Sequence, residues 1–322
     1  MIKENTVFVL GAGASKPYGF PTGIELRQEI IEQFEEIMAR IALYEREDER
    51  LLPKPNKIFE FVQKFKMSDN NSIDLFLTRH REDETMVLRG KLAITTIMRQ
   101  RENNEHYVKG GFLVEPKEHD WYNYLYEKMT DSMPSPENLS FSSNKATFIT
   151  FNYDRSLEYY LHRALTSSFP DEYSEQLIEQ LNTIDFFHVH GSLGALGWQN
   201  NTQEPPIHYA TEIVDARKLL AEADRIKVVS ETELNEDIQR ARAALSEAEQ
   251  IFFLGFGFAP ENMDILDIPE TIASRTQIYG TALGLTKREQ GNIANRFAPY
   301  SQVSGKFRLI DTDSRRLLRD WL

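Results

Sequence analysis

The stretch FVLGAGASKPYGFPTG, residues 8–23, places a short apolar run directly before two glycines that are one residue apart. A buried strand that ends in a glycine turn and continues into a helix is typical of α/β proteins, whose helix starts expose N–H groups to phosphate. The stretch is not a P-loop, since no Gly-Lys-Ser/Thr follows, and Lys16 stands where a full Gly-x-Gly-x-x-Gly has its third glycine. By itself it fits nucleotide binding and a plain tight turn equally well.

Five short apolar runs, most of them followed by turn residues and a helical pattern, recur along the chain. They are VFVL (7–10), ATFITF (146–151), DFFHVH (185–190), IFFLGF (251–256) and TQIYG (276–280). Near-continuous runs of Val, Ile and Phe predict parallel strands that are covered on both faces. We therefore predict an α/β fold, with a Rossmann-like parallel sheet flanked by helices.

The strand pattern stops between about residue 46 and residue 145, where charged, helix-like pieces replace it. These pieces include KIFEFVQKF (57–65), SIDLFL (72–77) and KLAITTIMRQ (91–100). We predict a helical insertion subdomain over residues 46–145, placed after the first strand, and a core formed by residues 1–45 and 146–322. Residues 194–210, which contain a Pro-Pro pair, predict a mobile loop.

Capping boxes mark three predicted helix starts, at Thr22 to Glu25, Ser230 to Glu233 and Thr286 to Glu289. The helix after Thr22 has an apolar face at helical spacing. That face consists of Ile30, Ile31, Phe34, Ile37, Met38 and Ile41.

The 322-residue chain has a formal net charge of -13 and no cysteine. The negative charge disfavours broad binding to nucleic acid, although backbone N–H groups can still bind a small anion locally. The lack of cysteine excludes disulfides, thiol catalysis and cysteine zinc sites. No stretch approaches the roughly 20 apolar residues of a membrane span, and we expect a cytoplasmic protein.

Polar side chains follow the second predicted strand, where TFITFNYDRSLEYYL (147–161) places Asn152 and Asp154 just before a helix. Helix capping explains one of them, because Asn and Asp are favoured caps. The other residue remains for a ligand in the crevice at the strand end, where Asn152 could orient a water or a sugar.

Two histidines, His188 and His190, lie on one face of the third predicted strand, and Gly191 follows. A buried hydrogen-bonded pair, a functional imidazole and a two-histidine metal site are all open, although no third metal ligand suggests itself. Gly191 favours a functional His190, because a glycine leaves room for a substrate. At the next strand end Gly255 and Gly257 fit ribose binding or helix–strand packing equally well.

The order GAGAS, GFPTG, FNYD, HG and GFG resembles the sirtuin superfamily, and more closely a divergent sirtuin-like branch that consumes NAD in bacterial antiphage defence. The resemblance implies NAD as the substrate and catalytic roles for Asn152 and His190. The predicted NAD-binding residues are Gly11, Ala12, Gly13, Ser15, Pro21, Thr22, Asp154, Gly255, Gly257 and Thr281. The segment Ser72-Ile73-Asp74 also resembles one in the insertion of this branch, and we assign it no role.

Two departures separate the chain from protein-deacylating sirtuins. Without cysteine it cannot build their four-cysteine zinc module, and we expect no zinc. The Asp-Phe-Arg that follows their Gly-x-Pro is replaced by Thr22-Gly23-Ile24. We therefore predict an NAD glycohydrolase that forms nicotinamide and ADP-ribose. The alternatives are an NAD-dependent deacylase and a non-catalytic NAD or ADP-ribose sensor.

The chemistry requires little acid catalysis, since nicotinamide leaves as a neutral group from a sugar that gains oxocarbenium character. The protein must hold the dinucleotide and place one water. Asn152 is predicted to position the water or the ribose hydroxyls, and His190 to act as a base or hydroxyl partner. Because an uncontrolled NAD hydrolase harms its own cell, we expect a homo-oligomer or a separate regulatory protein, which by resemblance is an ATPase or a short Argonaute.

Overall fold

One parallel sheet organises the computed structural model, which describes residues 1–44, 52–103, 117–133, 135, 138–199, 206–211, 215–231, 234–298 and 307–322. Its strands are β1 (Thr6–Leu10), β2 (Ala146–Thr150), β3 (Asp185–His188), β4 (Gln250–Leu254), β5 (Gln277–Thr281) and β6 (Phe307–Ile310). Their order is β3-β2-β1-β4-β5-β6, and every neighbouring pair is parallel. This is the Rossmann order, which reverses direction between β1 and β4.

Helices connect the strands and cover both faces of the sheet. They are α1 (Ala12–Ser15), α2 (Gly23–Tyr44), α3 (Pro55–Met67), α4 (Ile73–Arg79), α5 (Glu84–Glu102), α6 (Trp121–Thr130), α7 (Ser156–Ser168), α8 (Ser174–Leu181), α9 (Ala216–Arg225), α10 (Glu236–Glu247), α11 (Pro260–Ile265), α12 (Lys287–Phe297) and α13 (Ser314–Trp321). Short 3-10 turns lie at Lys16–Tyr18, Lys117–His119, Phe141–Ser143, Asp171–Tyr173 and Val229–Glu231.

A ladder of aromatic rings crosses one face of the sheet at a single register. Phe8 stacks between Phe148 and Phe252, with ring centroids 5.0 and 5.6 Å away, and Phe186 and Tyr279 extend the row on either side. Cross-strand aromatic pairs each contribute roughly 0.2–1 kcal/mol. The same apolar core includes side chains from α2 to α6, so the insertion and this face of the sheet share one interior.

The opposite face packs β-branched and aromatic residues of the same strands against α10, α11 and α12. The predicted α/β class, the parallel sheet with helices on both faces, and the helical segments after the first strand are therefore confirmed. The boundaries at residues 45 and 145 stay a prediction.

Local predictions had mixed outcomes. Helix α2 starts after Thr22, and the box at Thr286 and Glu289 caps α12. After residue 229 the chain forms a 3-10 turn instead of the predicted helix, and α10 begins only at Glu236, with Asn235 as its cap. Glu233 of the predicted box lies outside the described residues. Strand β6 was not predicted.

Candidate functional site

The site lies at the carboxyl edge of the sheet, where the order reverses between β1 and β4. In open α/β sheets this reversal leaves a crevice that ligands use. The loop after β1 carries the opening glycines, and the loop after β4 carries Gly255 and Gly257. The predicted residues of both loops therefore meet at one edge.

The glycines of the two loops interlock, backbone against backbone. The Gly11 N–H donates to the Leu254 carbonyl and the Gly13 N–H to the Gly255 carbonyl, both at 3.0 Å. A Cβ at Gly11 would lie 2.6 Å from the Gly255 oxygen, and one at Gly255 would lie 2.0 Å from the Ala14 nitrogen. Gly255 also has a φ of +55°, which side chains disfavour. Close loop packing thus requires these glycines.

This interlock reduces the number of backbone N–H groups in the opening motif that are available to a ligand. The N–H groups of Gly11 and Gly13 are already donated to the β4 loop, while the Ala12 N–H donates to no described residue. A Cβ at Gly257 would meet nothing within 4 Å, so the backbone there faces open space. Among the predicted phosphate and ribose contacts, Ala12 and Gly257 are the positions that the loop packing leaves open. Their binding role stays a prediction.

Two further predicted positions flank the glycine loops. Thr281 lies at the end of β5, and Pro21 and Thr22 lie just before α2. Thr281 is buried at the end of β5, and its Oγ1 accepts the Gly255 N–H at 2.8 Å, which fixes the turn after β4. The Glu25 carboxylate accepts both the N–H and the hydroxyl of Thr22, and Lys16 pairs with its other oxygen at 2.8 Å. Burial opposes the charge of Glu25, yet these three partners lower its pKa to about 2.

Asn152 joins the β2 loop to the opening motif. Its buried side-chain amide donates to the Gly11 carbonyl and to Ser15 Oγ, each at 3.0 Å. Its Oδ1 accepts no hydrogen bond from the part of the chain that the structure describes. Both amide hydrogens are therefore occupied by the protein, and the oxygen is the atom that Asn152 has left for a water or hydroxyl.

Asp154, which is also buried, contacts the first residue of α7. It accepts hydrogen bonds from the N–H and the hydroxyl of Ser156, and Tyr122 of α6 is 2.7 Å from the same hydroxyl. Burial raises the pKa of Asp154, although hydrogen bonds from Ser156 and Ser15 oppose the rise. Arg155 occupies the N-cap position and makes no side-chain cap hydrogen bond, so Asp154 braces the helix start through Ser156 without being its N-cap. These contacts assign it no ligand, and its NAD-binding role stays a prediction.

The two histidines have opposite surroundings. His188 Nε2 lies 2.5 Å from Glu158 Oε1, and its Nδ1 lies 3.2 Å from the Asn152 carbonyl. Burial opposes its charge, but Glu158, the Asn152 carbonyl and Asp154 together outweigh burial and raise the pKa of His188. His190 lies beyond the strand, with the rings of Phe151 and Tyr153 at 5.5 and 6.3 Å. Burial lowers the pKa of His190, which favours a neutral base at neutral pH.

Gly191, which follows His190, lies in a tight backbone turn. Gly191 has a φ of +68°, and a Cβ there would lie 2.0 Å from the Arg225 carbonyl oxygen at the end of α9. The glycine therefore fits a tight backbone turn and gives no space to a substrate. A glycine at this position is therefore equally compatible with a packing histidine, and a functional His190 is supported by its position at the carboxyl edge of the sheet.

The structure adds three residues beside His190 that sequence reasoning did not assign. Asn262 of α11 has its Oδ1 3.3 Å from His190 Nε2. Asp74 of α4 accepts the Tyr153 hydroxyl at 2.8 Å, and its charge opposes the pKa decrease of His190. The recurring Ser72-Ile73-Asp74 segment was a signal for Asp74, whereas Asn262 and Tyr153 had none beyond their adjacency to motifs.

A buried charge network anchors the loop that follows His190. Arg155 donates to both oxygens of Glu102 and to the carbonyls of Gly194 and Ile207, at 2.7 to 3.1 Å. Arg99 pairs with the same carboxylate at 2.7 Å. The described ends of the predicted mobile loop are therefore fixed to α5 and α7, and residues 200–205 lie outside the described residues.

Other site classes find little support in the described residues. No group of three His, Asp or Glu side chains there is placed to hold a metal ion. No described helix has the length and apolar character to cross a bilayer. A surface pocket of about 250 Å³ contains none of the predicted site residues; it is lined by Glu118, His119, Asp313, Arg315, Arg316 and Arg319.

Residues 146–276 match the family model of the SIR2-like domain. The match begins with β2 and ends just before β5, so it includes Asn152, His190 and Gly255 but neither the β1 loop nor the insertion. No curated protein matches the chain. The similarity of the β2–β4 region to a SIR2-like domain supports a place for the chain in the sirtuin-like superfamily, with NAD-related chemistry.

Proposed function

We propose that this protein is an NAD glycohydrolase that releases nicotinamide and ADP-ribose. The observation that supports the proposal is that Asn152 donates to Gly11 of the opening loop, while the rings of its chain neighbours Phe151 and Tyr153 lie next to His190. His190 is buried beside two aromatic rings, so the site can exclude stray water and keep a neutral imidazole.

The reaction balances with this chain's residues and one water. The water oxygen bonds to the ribose carbon, the carbon–nitrogen bond breaks with its electron pair going to nicotinamide, and His190 takes the proton of the water. Asn152 Oδ1 accepts a hydrogen bond from the same water or from a ribose hydroxyl. Positioning and one base suffice, because the leaving group departs neutral.

The test is nicotinamide release from NAD by the purified protein, alone and with the product of the adjacent gene. Replacing His190 with Ala should lower the rate about 100-fold or more, the scale of general base catalysis. His119→Ala is the matched control, because His119 is a partly exposed histidine far from the predicted residues in sequence. Full turnover by folded His190→Ala and Asn152→Ala would contradict the catalytic assignment.

A non-catalytic NAD or ADP-ribose sensor is the second candidate. It is favoured by the engagement of both Asn152 amide hydrogens with Gly11 and Ser15, which gives this side chain a structural role already. Calorimetric binding of NAD without nicotinamide release, in every condition tried, would support the sensor. An NAD-dependent deacylase would instead release nicotinamide only when an acyl-peptide is added.

The biological role that we propose is NAD depletion in antiphage defence, controlled by homo-oligomerisation or by a separate regulatory protein. The role rests on the motif resemblance and on the SIR2-like match. Cellular NAD should fall after phage infection in cells that express the protein and stay constant with His190→Ala. Light scattering of the purified protein tests the oligomer.

A further inference from the structure

Asp74 belongs to the predicted helical insertion, yet it bonds to Tyr153, whose ring lies next to the proposed catalytic histidine. It is in the first turn of α4, where Ser72 caps the helix by accepting the Leu75 N–H at 3.2 Å. The turn Val229–Glu231 packs against α4. The position of Asp74 is therefore set by the cap and by packing.

One Asp74 oxygen holds the tyrosine that lies next to the imidazole. The Tyr153 hydroxyl donates to Oδ1 at 2.8 Å, and the Tyr153 ring is tilted by 40° to the His190 ring, with centroids 6.3 Å apart. Burial and the nearby Asp74 charge raise the pKa of Tyr153 well above its usual value, so the phenol keeps its proton. The phenol can therefore act as a donor to Asp74 across the physiological pH range.

Neutral and charged groups from several elements surround this cluster, and Asp74 is a charged group that acts on His190. Asn262, on α11, is neutral, and the Phe151 ring is apolar. Glu231 faces Tyr153 from the 3-10 turn and pairs with Lys91 at 2.8 Å. The Asp74 carboxylate opposes the effect of burial on the pKa of His190, and the hydrogen bond with Asn262 acts in the same direction.

We propose that Asp74 is a positioning residue for His190: it holds Tyr153 against the imidazole and places a negative charge beside the proton that His190 takes from water. The inference rests on the proposed hydrolase function. In that reaction the imidazole becomes an imidazolium in a buried site, which is costly without a nearby anion. The insertion thereby supplies part of the site, although the SIR2-like match does not include it.

Three variants separate the charge from the hydrogen bond. Asp74→Asn keeps an acceptor for Tyr153 and removes the charge, whereas Tyr153→Phe removes the hydrogen bond and keeps the charge. Asp69→Asn is the matched control, since it removes an exposed charge from the same insertion at a positive φ that Asn tolerates.

We expect Asp74→Asn to lower kcat about ten-fold with little change in KM for NAD, and to move the acidic limb of the kcat–pH profile to lower pH, as for a weaker base. Tyr153→Phe should reduce kcat less and leave the limb in place. Asp69→Asn should match the wild type. A lower kcat without movement of the limb would show a merely structural role and overturn the inference.

A direct titration tests the inference without turnover. In ¹⁵N-imidazole NMR of the full chain, His190, assigned by its loss in His190→Ala, should titrate at a lower pH in Asp74→Asn than in wild type. An unchanged titration would overturn the inference even if NAD is hydrolysed. If the wild type releases no nicotinamide, the proposed function fails while the titration still decides the effect of Asp74. Asp74→Glu should keep the wild-type titration, and Asp74→Ser, which also removes the charge, replaces Asp74→Asn if that variant does not fold.

Discussion

Around β1 and β4 the edge of the sheet is closed by backbone packed on backbone, whereas around β2 and β3 it is held by buried charges. The glycine half consists of Gly11, Gly13 and Gly255, which lie too close for any side chain. The charged half consists of the His188–Glu158 pair and the network of Arg155 with Glu102. Asn152 connects the halves, through its amide to Gly11 and its carbonyl to His188.

The two halves should respond to different perturbations. A steric interlock depends on shape and is insensitive to pH, while paired buried charges depend on the protonation of each partner. A ligand crevice between them has one wall that is fixed by packing and one wall whose stability varies with pH. Three predictions test this difference, in order of decreasing effect.

The largest effect is expected for Gly255→Ala, which places a Cβ 2.0 Å from the Ala14 nitrogen at a φ of +55°. The free energy of unfolding should fall by about 4 kcal/mol or more, because both loops must separate. Denaturant unfolding measures the loss. Gly257→Ala is the matched control; its Cβ meets nothing within 4 Å, and it should change stability by less than about 0.5 kcal/mol. Equal losses in both variants would contradict the interlock.

Breaking the buried charge network should have the next largest effect. Arg155→Met leaves Glu102 without one of its partners and leaves the carbonyls of Gly194 and Ile207 without a donor. We expect unfolding free energy to fall by about 3 kcal/mol. Arg316→Met, in an exposed pair with Asp320, is the control and should cost less than about 1 kcal/mol. A similar loss of unfolding free energy in the two variants would contradict the prediction that the buried network contributes more to stability than the exposed pair.

The smallest effect, and one that varies with pH, is expected for Glu158→Gln. A raised pKa of His188 means that the pair stabilises fully below the unfolded pKa of about 6.5 and loses this contribution as the pH rises through the folded value. The free energy of unfolding of the wild type should therefore be higher than that of the variant by about 1 to 2 kcal/mol at pH 6, and by less at pH 9. Unfolding curves at the two pH values measure this.

Glu179→Gln is the control for that experiment, because Glu179 is exposed on α8. It should show no difference from wild type at either pH. A stability gap for Glu158→Gln that stays constant between pH 6 and pH 9 would contradict the charged pair.

Much of the fold could be predicted because its information is local. The runs of Val, Ile and Phe predicted β1 to β5 nearly at their bounds, since strands buried on both faces must be apolar throughout. Strand β6 has the half-exposed sequence FRLI, whose arginine interrupts the apolar run, and so it gave no such signal. The start of α10 was also missed, because the helix is capped by Asn235, which accepts the Ile238 N–H, and not by the predicted box at Ser230.

The site was predictable in part for the same reason. The edge position of Asn152 and His190 follows from where strands end, and the structure places both there. Asn262 and Asp74 come from distant segments, and their approach to His190 depends on how α11 and α4 pack. Spacing alone also could not show that Gly191 faces a carbonyl or that His188 has a carboxylate partner.

Local patterns were enough to predict the alternation of strands and helices, the parallel sheet, the absence of cysteine chemistry and the positions of the motifs at strand ends. The strand order, the interlock of the glycine loops, the opposite surroundings of the two histidines and the approach of Asp74 from the insertion became visible in the folded chain alone. The difference is one of distance along the chain: helical hydrogen bonding and strand hydrophobicity depend on neighbouring residues, whereas burial, charge pairing and close backbone approach depend on residues that folding brings together.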